Sequence, residues 1–252
     1  LFDSFIFTPT PKYMYDFSPT GGRRLLTKED FLDFVYNQTF RPGYNMDALE
    51  LATNEVKIAL NMPTFKFNVY LSLLYPNKLV TNFGEVNERS LNLSMEEDRI
   101  DALKWLIQEQ IRVFEERNCR NLQIAGFFWF TEETKMKEDS SMIKRINDHI
   151  HNIGFSSIWS PYFNAQGWDK WRELGFDLAT MQANYCPGCD IPNNGGIDRL
   201  YAMVDYVKRG MIGIEMEIAT ARHDCVKGFK EYLLIGAGKG GYMYGNHIWY
   251  LC

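Results

Sequence analysis

The sequence predicts an α/β protein whose parallel strands close into an eight-stranded barrel, and three observations support this. From residue 122 onward, apolar strands alternate with amphipathic helices at the spacing of βα units. The stretch Ile124–Phe130 is too apolar and aromatic to face water on either side, which is how a central parallel strand reads. Two of the strands end on carboxylates, where parallel α/β folds place their chemistry. Together these make a (β/α)8 TIM-type barrel the expected architecture. Seven strands are visible. Because the chain opens on a strand, the eighth is expected upstream of Leu1, and residues 1–252 are read as one N-terminally trimmed barrel domain. An open dinucleotide-binding sheet is the weaker choice, since no Gly-rich turn follows the early strands.

Leu1–Phe7 reads as a short buried strand ended by Thr8-Pro9-Thr10-Pro11. Thr27 starts a helix with Phe31, Phe34 and Val35 on one face, and Asp30 completes a capping box. A second amphipathic helix runs from Met46 to Leu60, before Pro63. Phe65–Tyr75 is the next strand, closed by Pro76. Asn77–Leu93 is polar and irregular, long enough to be a functional loop. Ser94-Met-Glu-Glu97 is a capping box for a helix carrying Ile100, Leu103, Ile107, Ile111 and Phe114.

After the central strand, Ile143, Ile146, Ile150 and Ile153 line a helix over residues 140–153, and Gly154 stops it. Strands follow at Phe155–Phe163, Phe176–Tyr185 and Met211–Ile218. A short helix at Gly167–Leu174 and a longer one from Ile197 to Gly210 lie between them. A last helix near Cys225–Ile235 leads through glycines to Tyr242–Tyr250.

Composition narrows the function. A net charge of −5, with no long run of Lys and Arg, argues against a nucleic-acid surface. No apolar segment is long enough for a transmembrane helix. Fourteen Tyr and six Trp suit stacking on sugar rings or bases as well as core packing.

The acids carry the chemistry. Counting by twos from Gly126 through Phe128 and Phe130 reaches Glu132, the inward-facing acid, with Glu133 on the opposite face. In Ile212-Gly-Ile-Glu-Met-Glu-Ile218, the isoleucines and Met216 form the helix-packed face. Gly213, Glu215 and Glu217 form the other. Carboxylates there are costly unless they are used, or paired with Arg222 or Lys208. Glu217 lies nearer the carboxyl end and is the better nucleophile, with Glu215 one layer deeper in support. Two acids on opposed strand ends among aromatics meet the needs of glycoside hydrolysis: one protonates the leaving oxygen, the other attacks or activates water. Tyr162, Asn164, Gln166, Trp168, Gln182, Asn184 and Tyr185 are the expected substrate-binding residues. Amides among them suit sugar hydroxyls because they both donate and accept. A non-catalytic carbohydrate-binding barrel is the alternative.

The runs Gly126-Phe-Phe-Trp-Phe-Thr-Glu132, Ile158-Trp-Ser-Pro-Tyr-Phe163, Gly175-Phe-Asp177 with Gln182-Ala-Asn-Tyr185, and Gly213-Ile-Glu-Met-Glu217 resemble a bacterial family of domains of unknown function. That resemblance implies a glycosidase-like TIM barrel, mostly secreted, periplasmic or on the cell surface, with no established activity. A looser resemblance is to the large clan of retaining glycosidases with acid/base on strand four and nucleophile on strand seven. It implies those roles for Glu132 and Glu217, and for Tyr185 that of the tyrosine steadying the nucleophile. Thr131 stands where that clan usually has Asn.

Five cysteines are too few and too unevenly spaced for a disulfide scaffold. Cys186-Pro-Gly-Cys189 alone is weak as a metal motif. With His223 and Cys225 it would allow a structural zinc site or a zinc-dependent hydrolase, against a disulfide-pinned loop or plain thiols. Neither metal nor cofactor is expected. Gly236-Ala-Gly-Lys-Gly-Gly241 fits a nucleotide fingerprint formally, but no helix or distant acid follows, so it reads as a helix stop and turn. His149 and His151 read as surface residues of a helix.

Overall fold

The computed structural model describes residues 2–9, 25–187, 194–218, 223–238 and 241–251, without the side chains of 223, 224 and 251. Its elements are strands β1 (Ser4–Phe7), β2 (Phe67–Leu73), β3 (Gly84–Val86), β4 (Arg89–Leu91), β5 (Leu122–Trp129), β6 (Ser156–Trp159), β7 (Leu178–Gln182), β8 (Gly213–Ile218) and β9 (His247–Leu251). The helices are α1 (Lys28–Asp33), α2 (Met46–Ala59), α3 (Glu96–Arg117), α4 (Met136–Asn152), α5 (Asp198–Lys208) and α6 (His223–Ala237).

Strand pairing follows the order β1-β2-β5-β6-β7-β8-β9, and β3 pairs with β4 alone. This overturns the closed barrel. The order has two ends: β1 is hydrogen-bonded only to β2, and β9 only to β8, among the described residues. The α/β class stands, as a seven-stranded sheet rather than eight strands joined in a ring. Alternation of strand and helix is the same for both arrangements. Closure needs the first strand to bond the last, and no local period encodes that.

The chain divides into two compact units, Leu1–Thr131 with Ser141–Ser157, and Glu132–Ser140 with Ile158–Cys252. In the first, β1, β2 and β5 pair in parallel. Alternation in β2 buries Val69, Leu71 and Leu73, each worth about 1.5–3 kcal/mol on removal from water. Of the predicted stripes, α3 buries Ile100, Leu103 and Ile107 with Ile111 and Phe114 half-buried, and α4 buries Ile143, Ile146 and Ile150, whereas Ile153 lies past its end and is exposed.

Three local expectations change. Ser94 does not cap α3: the helix starts after Met95, whose backbone is extended, and Asp98 reaches back to accept the Asn92 N–H at 2.7 Å. The polar stretch 77–93 contains the β3–β4 hairpin, turned by Asn87 and Glu88 with φ of 49° and 63°. Residues Phe34–Thr39 widen into a π-helical turn. By contrast, the Thr27 N–H does donate to Asp30 at 2.9 Å, as the capping reading requires.

In the second unit, β6, β7, β8 and β9 are joined by parallel pairings. Ile158, Ala179, Met181, Ile214 and Met216 are buried, and Trp159 stacks on Phe176 with centroids 5.4 Å apart. The β7–β8 register sets Gln182 opposite Glu215, and that alignment builds the site. No helix among the described residues is long and apolar enough to cross a membrane.

Candidate active site

The acids expected from strand ends meet inside the second unit. Glu132 follows β5 by three residues, and its Oε1 accepts a hydrogen bond from Gln182 Nε2 at 3.0 Å. Gln182 Oε1 in turn accepts from Asn184 Nδ2 at 3.1 Å. The Asn184 backbone N–H donates to Glu217 Oε2 at 2.7 Å. Gln182, the last residue of β7, and Asn184, two residues beyond it, therefore connect the two proposed catalytic carboxylates. Asn184 holds this place with φ of 48°, a left-handed conformation that Asn tolerates better than most residues. Its Oδ1 also accepts the Phe163 N–H at 3.1 Å, so one buried side chain ties β7 to the chain beyond β6.

Glu217 Oε2 takes a second donor, the Tyr232 hydroxyl of α6, at 2.8 Å. That hydroxyl itself accepts the Tyr185 N–H at 3.3 Å. The hydrogen bond to Glu217 that the resemblance implied for Tyr185 is made by Tyr232. The Tyr185 hydroxyl donates instead to Glu231, and burial with that carboxylate pushes its phenol up to about 12. Nothing local signals Tyr232: it lies 15 residues beyond Glu217, on a helix face that reads as core.

All three acids hold their protons more tightly than ordinary carboxyls. Burial raises Glu132, with Gln182 opposing and Glu133 adding repulsion. The residue as a whole is nonetheless exposed. Burial also raises Glu217, to about 7, although its bonds from Tyr232 and Asn184 and the positive Arg199 favour the charged form. Glu215 is buried and raised well above the usual range, first by burial and then by Glu217. Among the described residues no cation forms an ion pair with any of the three; Arg222 lies outside them.

The other expected binding residues divide. Tyr162 donates from its hydroxyl to Glu133 at 2.8 Å and from its N–H to the Glu132 carbonyl at 3.1 Å, which fixes the acid's backbone. Burial and then Glu133 push its phenol up to about 12. Trp168 stacks on Tyr206 at 4.7 Å, and Phe163 lies on the same tyrosine at 6.4 Å. Asn164 accepts from the Tyr206 hydroxyl at 3.3 Å. Arg199 covers the Phe163 ring at 4.7 Å. Gln166 is not brought to the acids through its side chain, which is exposed; its carbonyl accepts the N–H and hydroxyl of Thr134 at 3.1 and 2.9 Å. Gly167 next to it, at φ of 86°, has no room for a Cβ, which would lie 2.0 Å from Thr134 Oγ1.

The sequence match is decisive for the family. Residues 1–251 match the family described as a domain of unknown function (DUF4855). The chain belongs to this family. No curated protein matches it. Membership of DUF4855 carries no activity, so the chemistry rests on the side chains.

Cys186 and Cys225 are disulfide-bonded, which removes two of the four thiolate or imidazole ligands of the zinc alternative. Cys189 and the His223 side chain lie outside the described residues. Cys119 is a free thiol that burial pushes up to about 11. Helix α6 ends at Ala237, and a 3-10 turn at Tyr242–Tyr244 precedes β9; Lys239 and Gly240 of the glycine run lie outside the described residues. Two cavities lie elsewhere, one of about 230 Å³ beside Phe7 and Thr39 and one of about 370 Å³ beside Tyr201 and Leu234. No acid among the described residues lines either.

Proposed function

We propose that this chain hydrolyses a glycosidic bond in a poly- or oligosaccharide, with Glu132 as general acid/base and Glu217 as nucleophile or base. One observation carries the reading: two carboxylates from separate strand ends are joined through Gln182 and Asn184, and among the described residues neither is in an ion pair. Structural acids are normally neutralised by Arg or Lys. Acids held by amides and hydroxyls, with raised affinity for protons, suit proton transfer near neutral pH.

The division of labour follows from the hydrogen bonds. Glu217 accepts two donors on one oxygen, which favours its charged form and leaves the other oxygen to act. Glu132 accepts one donor and meets water, so it can deliver a proton to a leaving oxygen and recover it. The ring pair Trp168–Tyr206, with Asn164 beside it, supports sugar stacking. The disulfide-bonded Cys186 and Cys225 support an extracellular or periplasmic setting.

The test is a screen of polysaccharides and aryl glycosides with the wild type, Glu132→Gln and Glu217→Gln. Hydrolysis by the wild type alone supports the reading, and undiminished activity in both variants ends it. Sugar binding without hydrolysis by any form supports the non-catalytic carbohydrate-binding alternative, which the half-buried aromatic cluster also suits.

A further inference from the structure

Ser160, one residue past β6, makes three oxygen contacts with one hydrogen to give. A hydroxyl donates once and accepts up to twice. Ser160 Oγ lies 2.6 Å from the Thr180 carbonyl oxygen, which can only accept. It lies 3.2 Å from Thr180 Oγ1, which can donate. It is also in short hydrogen-bond contact with Glu215 Oε2. If the hydroxyl hydrogen goes to the carbonyl, an ionised Glu215 would face Ser160 oxygen to oxygen with nothing between them. If Glu215 carries a proton, it donates to Ser160, and every contact has its hydrogen. Ser160, Thr180 and Glu215 are all buried, so a mismatch there would be expensive.

We propose that Glu215 is held as the neutral acid, donating to Ser160, so that the β8 pair carries its single charge on Glu217. The catalytic meaning of that charge rests on the hydrolase reading; the position of the proton does not. The surroundings agree. Glu217 on the same strand and Glu132 beyond β5 both oppose a charge on Glu215, and burial opposes it most. Across the sheet its register partners are Gln182 and Ile248, neither of them a cation. Arg199 acts on Glu217. Glu215 is thus a positioning residue: it fills the layer under Glu217 with a donor instead of a second negative charge.

The experiment is a carbon-13 NMR titration of the chain labelled at the glutamate carboxyl carbons, for the wild type and Glu215→Gln. In the wild type, one carboxyl resonance should stay at its protonated position above the pH of about 7 at which Glu217 titrates. That resonance should vanish in Glu215→Gln, with the Glu217 midpoint unmoved, because no charge was removed. Wild-type glutamates that are all ionised above that pH, or a lower Glu217 midpoint in Glu215→Gln, would overturn the proposal. If Glu215→Gln does not fold, the wild-type spectrum alone decides. No substrate is needed, so a chain inactive on every sugar yet retaining the protonated resonance would sink the hydrolase reading and leave this one standing.

Discussion

Asp98 at the start of α3 and Glu217 at the end of β8 are both carboxylates largely withdrawn from water, and their surroundings are opposite. Burial alone would raise Asp98. The Asn92 N–H and the Arg89 guanidinium, 2.5 Å away, outweigh it and hold Asp98 below the usual carboxylate range. Glu217 receives two neutral donors and, among the described residues, no ion pair, and burial lifts it to about 7. Asp98 secures a helix start. Glu217 holds a proton that can be exchanged near neutral pH. Depth below the surface therefore does not decide which way a carboxyl's proton affinity moves; the partner does.

The largest expected effect is on activity. Glu132→Gln and Glu217→Gln should each lower hydrolysis by about 10²- to 10⁴-fold with an unchanged circular dichroism spectrum, as expected for loss of acid–base function. Asp98→Asn should leave the rate alone. If Asp98→Asn lowers the rate as much as Glu217→Gln, the contrast fails.

The next is pH-dependent stability. A carboxyl raised from 4.5 to about 7 on folding stabilises the fold fully below about 4.5, and that contribution disappears as pH rises through about 7. Urea unfolding should show wild-type stability falling by about 2–3 kcal/mol over that window relative to Glu217→Gln. Asp98 has the reverse sign: its contribution is present above the ordinary carboxylate range and lost as pH falls through its lowered pKa. Asp98→Asn should cost about 1–3 kcal/mol at neutral pH and progressively less in acid.

Tyr232→Phe sharpens the picture further. It removes one bond that favours ionised Glu217, so the Glu217 titration should move to higher pH, with about 1 kcal/mol of stability lost. Tyr185→Phe should leave that titration where it is. An equal shift in both variants would return the steadying role to Tyr185. The smallest effect is expected from Arg145→Ala: its pair with Glu97 is exposed on both sides, and the urea midpoint should not move.

Much of the site was legible because strand alternation is a local property. The period of two in Gly213-Ile-Glu-Met-Glu217 puts both acids on the face away from Ile214 and Met216, which are buried. The same period placed Gln182 and Asn184 together. Less legible was anything that needs a partner from afar. Ser160 and Thr180 look like ordinary strand residues until they share a hydrogen with Glu215. The Ser94 capping box met the pattern, but the Ser94 N–H donates to Asn92 Oδ1 and Glu97 is taken up by Arg145.

The amino-acid order by itself determined the main strands and helices, though not the β3–β4 hairpin, and which strand faces and ends carry Glu132, Glu217, Gln182 and Asn184. These follow from side-chain direction along a regular backbone. Only the tertiary structure decided that β1 and β9 stay unpaired with each other, that Gln182 stands level with Glu215, and that Tyr232 rather than Tyr185 reaches Glu217. Register and strand closure are settled by packing between segments far apart in the chain, and a periodic pattern is the same for every register that keeps its faces.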